Sequence, residues 1–159
     1  MSPSGAHTES HARYGPASLG YMNPGGGTFC LYYPVDPEEE GFKIHVTAHP
    51  DDAEVVARTV LPRLRAMRVP HKVVRDRSTY LRIHGGDQRG KFITIYPGAS
   101  GQAQLVVDQF DPALANLRLS GGLRPGPVPH ARRSGHTLPE IRVGRSGLVF
   151  TIYSDDYRA

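Results

Sequence analysis

Phe42 to Ala48 alternates without a break: Phe42, Ile44, Val46 and Ala48 fall on one side, and Lys43, His45 and Thr47 on the other. A period of two predicts a β-strand with one apolar face. Such a face must be covered, and the next residues supply the cover. His49-Pro50-Asp51-Asp52 reads as a helix start, with proline in the first turn and acids near the positive end of the dipole. Ala53, Val56, Ala57, Val60, Leu61, Leu64 and Met67 then recur at helical spacing. Pro62 interrupts this stripe and predicts a kink between Arg58 and Pro62.

The remaining segments extend the same layered plan. Phe29 to Pro34 is a short apolar run that reads as a first strand. His71 to Asp76, Tyr80 to His84 and Lys91 to Tyr96 also read as strands, with a glycine-rich loop (GGDQRG) at 85–90. A second helix is predicted over 101–117, with Pro112 as a point where it can split. Gly121 to Leu138 reads as a long loop holding Arg132 and Arg133. Ile141 to Val143 and Leu148 to Tyr153 form a closing hairpin. The expected order is β, β, α, β, β, β, α, β, β. The fold class is α+β: a single domain with a mixed, mostly antiparallel twisted sheet and two main helices packed on one face. Residues 1–28, rich in Gly, Pro, Ser and His, read as a flexible N-terminal arm, and residues 29–159 as the domain.

Charge and cysteine usage narrow the function. The net charge of +4 favours an anionic partner. No block of five like charges suggests a nucleic-acid tail, and no apolar run reaches the roughly 18 residues a membrane span needs. A polar N-terminus without an apolar signal region gives the expectation of a soluble, cytoplasmic protein with no membrane partner. The single cysteine, Cys30, excludes an intrachain disulfide and a cysteine-built zinc site. His49 to Asp52 is helix-start chemistry rather than a ligand set, so no metal site is expected. No dinucleotide fingerprint, Walker sequence or nucleophile elbow is present.

Of 19 basic residues only three are lysines: Lys43, Lys72 and Lys91. Lys43 and His45 leave the same face of one strand, opposite the apolar side, and suit an anionic ligand; a solvated outer face is the plainer alternative. Lys72 follows a tight Val-Pro connection. If it lies beside Lys43, like charge and partial burial lower its pKa and make it a usable general base, which arginine cannot become; chance placement of three lysines is the alternative. Arg89 and Lys91 flank a glycine in GGDQRGK and could hold phosphate oxygens, or simply decorate a hairpin loop. Arg132 and Arg133 suit bidentate phosphate binding, or a solvated basic loop.

Four segments, FKIHVTAHPDDAE, VPHKVVRD, RGKFITIYP and PHARRSG, occur in an order that resembles the lyase domain of class III and class IV lanthipeptide synthetases. That domain is in turn similar to the phosphothreonine lyases of bacterial effectors. The resemblance covers roughly residues 29–136. It implies cofactor-free β-elimination of phosphate from phosphoserine or phosphothreonine, giving dehydroalanine or dehydrobutyrine. Position by position, it implies Lys72 as the general base, His45 as the general acid, Lys43 as a phosphate or charge-stabilising cation, and Tyr96 as a tyrosine supporting the basic residues. Arg132 matches a phosphate-binding arginine. A second such arginine is Arg89 or Arg82, with Arg89 favoured, and Lys91 adjoins the phosphate. The chain departs from the family pattern at His49, where a small polar residue is usual, and after Arg132. Implied partners are a phosphorylated precursor peptide with its leader, and a separate kinase and cyclase, because this length leaves no room for either beside the lyase. The alternatives are a non-catalytic phosphopeptide- or leader-binding module and, last, a nucleic-acid binder. Against the last, the polar face of the KIHV strand carries no aromatic residue to stack on bases.

Overall fold

The alternating segment forms β2 (Gly41–Val46), one of six strands in a computed structural model that describes residues 13–33, 41–98, 102–130 and 140–154. The other strands are β1 (Phe29–Tyr32), β3 (His71–Val74), β4 (Ile93–Ile95), β5 (Ile141–Val143) and β6 (Val149–Ser154), and the helices are α1 (Ala53–Met67), α2 (Arg77–Ile83) and α3 (Gln102–Leu119). The strands lie in the order β1-β3-β4-β2-β6-β5, and every described neighbour pair is antiparallel. The α+β class is therefore as the sequence predicts, and the sheet, expected to be mixed and mostly antiparallel, is antiparallel at every described pair.

The register sorts the side chains into two faces. Ile44, Val46, Val73, Ile93, Ile95 and Val149 share one face and are wholly buried. They join one core with Val56, Val60 and Leu64 of α1 and Val107, Phe110 and Leu114 of α3, and these two helices pack against each other. Pro62 and Pro112 sit inside their helices, and both helices run on through them. Pro62 lies on the exposed side of α1, where the carbonyl it frees belongs to the exposed Arg58, so the predicted kink is not needed to satisfy the backbone. After Met67 the chain turns at Arg68, held left-handed at φ 57°, as Arg68 N–H and Val69 N–H bond back to the carbonyls of Arg65 and Leu64.

Tyr80 to His84, predicted as a strand, belongs to helix α2 instead. The alternation of Tyr80, Leu81, Arg82 and Ile83 is outweighed by a cap: Asp76 accepts from Thr79 N (2.8 Å), Thr79 Oγ1 (2.6 Å) and Ser78 Oγ (3.1 Å). Burial alone would raise the Asp76 pKa, but these bonds and Arg75 hold it at about 2. Tertiary packing completes the choice. Tyr80 is wholly buried, its hydroxyl donates to Ala48 O (2.7 Å) and accepts from Ala48 N (3.2 Å), and its ring lies 5.0 Å from Phe92.

Residues 13–28, read from composition as part of the arm, pack onto the sheet. Tyr14 meets Phe92 edge-on at 5.0 Å, and Met22 pairs with Leu31 of β1. Tyr21 is buried and donates its O–H to His71 Nε2 (2.8 Å), while His71 Nδ1 donates to Val69 O (2.9 Å). Burial lowers the His71 pKa to about 4, so the ring stays neutral; its bond to Val69 O fixes the proton on Nδ1 and leaves Nε2 to accept from Tyr21 and pin this segment down.

Candidate active site

The opposite sheet face holds the polar groups. Register places Lys72 of β3 opposite Thr94 of β4, and Thr94 opposite His45 of β2. The candidate base and acid are thus the outer members of a three-residue row, two strand spacings apart (about 10 Å between Cα atoms). Leu31 of β1 and Phe150 of β6 close the row at either end. At the far end of the same face, α2 brings Tyr80 onto Phe92 and Thr47.

His45 is 4 % exposed, and its Nδ1 donates to Glu140 Oε1 at 2.7 Å, with the Glu140 side chain also 4 % exposed. The carboxylate fixes Nδ1 as the donor and leaves Nε2 as the nitrogen that can pass a proton to a ligand. Burial lowers the His45 pKa from its usual value; Glu140 opposes that, and Lys91 and Lys43 reinforce it. Glu140 carries no sequence signal. It lies two residues before Arg142, which faces Phe150, the β6 neighbour of His45, so only the β5–β6–β2 pairing brings it in.

Lys72 has its Nζ 4.2 Å from the Phe29 ring centroid, an apolar seat on β1. Burial, and after it the charge of Lys91, brings its pKa down to about 8. The sequence expectation had Lys43 as the neighbouring charge; the cation acting on Lys72 is Lys91. Lys43 instead sits over Tyr96, Nζ 5.9 Å from the ring centroid, and its charge acts on His45. Both Lys43 and Tyr96 are buried. The structure therefore gathers Lys43, His45, Lys72, Lys91 and Tyr96 on or beside one sheet face.

The arginines are distributed differently. Arg82 lies exposed on α2, with a guanidinium nitrogen 3.5 Å from Thr79 Oγ1 of its own helix, so it is not brought to the row. Arg89 is exposed in the glycine-rich loop, and its carbonyl accepts from His130 N at 2.9 Å. Arg132 and Arg133 lie outside the described residues. The segment approaching them is firmly seated. Arg124 bonds Asp52 through its backbone N–H (2.7 Å) and its guanidinium (2.9 Å), and Thr47 Oγ1 donates to Pro127 O (2.6 Å). Two glycines permit this seating. A Cβ on Gly126 would meet Thr47 Oγ1 at 2.7 Å, and one on Gly90, whose φ is +77°, would meet Pro127 O at 2.7 Å.

Among the described residues no three His, Cys, Asp or Glu side chains gather as a metal set, and no helix is long and apolar enough to cross a membrane. What the row offers is a lysine of lowered pKa and a histidine oriented by a carboxylate, with further cations around them. That combination can remove a proton from carbon and protonate a leaving oxygen beside a bound anion.

The fold is shared with solved bacterial effector structures. The phosphothreonine lyase OspF from Shigella flexneri matches at TM-score 0.54 and 16 % identity, over 84 % of this chain and 69 % of that one. SpvC, the phosphothreonine lyase effector from Salmonella, matches at TM-score 0.54 and 15 % identity, over 92 % and 74 %. VirA from Chromobacterium violaceum, a phosphothreonine lyase effector, matches at 0.51 and 16 %, over 87 % and 69 %. No curated protein sequence matches significantly. The family model described as RamC, N-terminal domain, matches residues 11–121, a span that runs from the packed N-terminal segment through α3 and carries Lys43, His45, Lys72, Lys91, Thr94 and Tyr96; the chain belongs to that family.

Proposed function

We propose that this protein is a lyase that eliminates phosphate from phosphothreonine or phosphoserine residues of a peptide. One observation carries the reading: a lysine with its pKa brought to about 8 and a carboxylate-oriented histidine stand two strands apart on one sheet face. The fold it shares with phosphothreonine lyases supports it. In this reading neutral Lys72 takes the Cα proton. The Cα–H electron pair forms the Cα=Cβ double bond, the Cβ–O bond breaks, and His45 Nε2 gives its proton to the departing bridging oxygen. The products are a dehydro residue and inorganic phosphate. Lys43 and Lys91 balance the charge of the phosphate, with Tyr96 holding Lys43 in place, and Arg132 and Arg89 add guanidinium contacts.

The family membership extends the proposal to maturation of a precursor peptide of the lanthipeptide kind. A kinase phosphorylates that peptide beforehand, and a cyclase adds thiols to the dehydro residues afterwards. The test is incubation with a phosphothreonine peptide, following phosphate release and the loss of one phosphoric acid from the peptide mass. Elimination that disappears in Lys72→Arg is the expected result, because arginine keeps the charge and cannot give up its proton. Tight, salt-sensitive binding without any elimination overturns the lyase in favour of a phosphopeptide-binding module.

A further inference from the structure

Thr94 occupies the middle of the row, between Lys72 and His45, and is 2 % exposed. Its Oγ1 is buried and has no hydrogen-bond partner among the described residues. Among the described residues two histidine nitrogens, His84 Nε2 and His130 Nε2, share this condition, but neither lies in the row, and several other buried polar side chains are satisfied. Thr47 donates to Pro127 O, both ring nitrogens of His71 are used, and Asp111 accepts from Arg145 N (2.7 Å), Ser146 N (3.3 Å) and Ser146 Oγ (2.6 Å). An unpartnered hydroxyl in a sheet centre is destabilising, and valine has the same shape with better strand propensity. Its neighbours lean to the sides: Lys72 Nζ seats over Phe29 of β1, and His45 Nδ1 reaches Glu140 beside β5. The short Thr94 side chain thus stands between the candidate base on one side and the candidate acid on the other.

This inference rests on the lyase reading above. A base on Cα and an acid on the bridging oxygen require the Cα–Cβ bond to lie between Lys72 and His45, directly over Thr94. Loss of the Cα proton moves negative charge onto the carbonyl oxygen of the reacting residue before the Cβ–O bond breaks. In the lyase reading Lys43 and Lys91 are given to the phosphate, and His45 to the leaving oxygen. We propose that Thr94 Oγ1–H donates to that carbonyl oxygen and stabilises the enolate as it forms, making Thr94 a catalytic residue that touches the substrate. The enolate then collapses, forming Cα=Cβ and expelling the phosphate, whose bridging oxygen takes the His45 proton. The threonine hydroxyl keeps its own proton throughout.

The test compares Thr94→Val and Thr94→Ser with the wild-type protein on a phosphothreonine peptide, with and without deuterium at Cα. Valine removes the donor and keeps the shape. The expected result is a melting temperature no lower than wild type, kcat reduced about 10- to 100-fold, and KM changed less than about threefold, because the bond strengthens only as charge develops. The deuterium isotope effect should grow in Thr94→Val, since proton removal becomes more fully rate-limiting, and Thr94→Ser should recover most of kcat. If Thr94→Val does not fold, Thr94→Ala carries the same comparison. Unchanged kcat in the variant lacking the hydroxyl, or a loss expressed in KM alone, overturns the assignment while leaving the lyase reading intact. Absence of elimination by the wild-type protein overturns both.

Discussion

In the proposed elimination, Lys72 and His45 have pKa values in the order opposite to the duties assigned to them, and this sets a pH profile that can be worked out in advance. Elimination uses Lys72 neutral and His45 protonated. Lys72 titrates at about 8, and burial holds His45 below its usual 6.5. At neutral pH the free protein therefore holds most Lys72 charged and most His45 neutral. The fraction in the reactive form is the product of two minor fractions. Between the two pKa values that product is constant, because each unit of pH gains tenfold in neutral lysine and loses tenfold in protonated histidine. Because burial holds His45 below its usual value, the reactive form is a small minority of the free protein. Above pH 8 lysine has no more to gain while histidine continues to lose, so kcat/KM falls with unit slope. From pH 7.5 to 9.5 the expected drop is ~20- to 30-fold. The falling limb thus marks the titration of the base, and the rising limb that of the acid, overlaid by the second ionisation of the substrate phosphate near ~6. Initial rates of phosphate release at subsaturating phosphothreonine peptide and constant ionic strength measure the profile. A kcat/KM that climbs through pH 8 and stays high to 9.5 would remove His45 as the acid. A profile without an inflection near 8 would remove Lys72 as the titrating base.

Other consequences are more local. Glu140→Gln keeps a hydrogen-bond acceptor and removes the charge that supports protonated His45; the acid limb should move to lower pH and the plateau fall about tenfold for each unit moved. Tyr80→Phe strips the hydroxyl that serves both Ala48 N and O, and should lower stability by about 1–3 kcal/mol in denaturant melts. Asp76→Ala removes the cap of α2 and should cost about 1 kcal/mol at neutral pH. Because the folded pKa of Asp76 is depressed to about 2, its contribution is complete above the unfolded value near ~4 and is lost as pH falls toward 2, so the variant and wild type should converge in acid melts. Gly90→Ala places a Cβ at positive φ against Pro127 O and should destabilise by about 1–3 kcal/mol, read as a lower melting temperature.

Much of this architecture is readable in the chain because periodicity is a local property. The alternation at Phe42 to Ala48 and the stripe from Ala53 to Leu64 mark β2 and α1 and put Lys43 and His45 on the face away from α1. What sequence reading misses depends on partners far along the chain. Tyr80 to Ile83 alternates as a strand should, yet the Asp76–Thr79 cap and a hydroxyl joined to Ala48 make it a helix. Pro, Gly and Ser make residues 13–28 look unstructured, but Tyr21 finds His71 fifty residues away. Glu140 and Thr94 have no motif at all; each matters through its register with His45. The basic neighbour of Lys72 proves to be Lys91 rather than Lys43 for the same reason, since pairing of β3 with β4 cannot be read from either strand alone.

The stretch between His130 and Glu140 has a consequence for how such a protein can change. One end is fixed where His130 N–H meets the Arg89 carbonyl, and the other where Glu140 holds His45. The two posts differ in kind. The first is a backbone bond, so it needs no particular side chain at position 130 or 89. The second joins two side chains and is lost with either Glu140 or His45. Drift in sequence therefore leaves the first post standing while it can undo the second, and with it the orientation of the His45 ring.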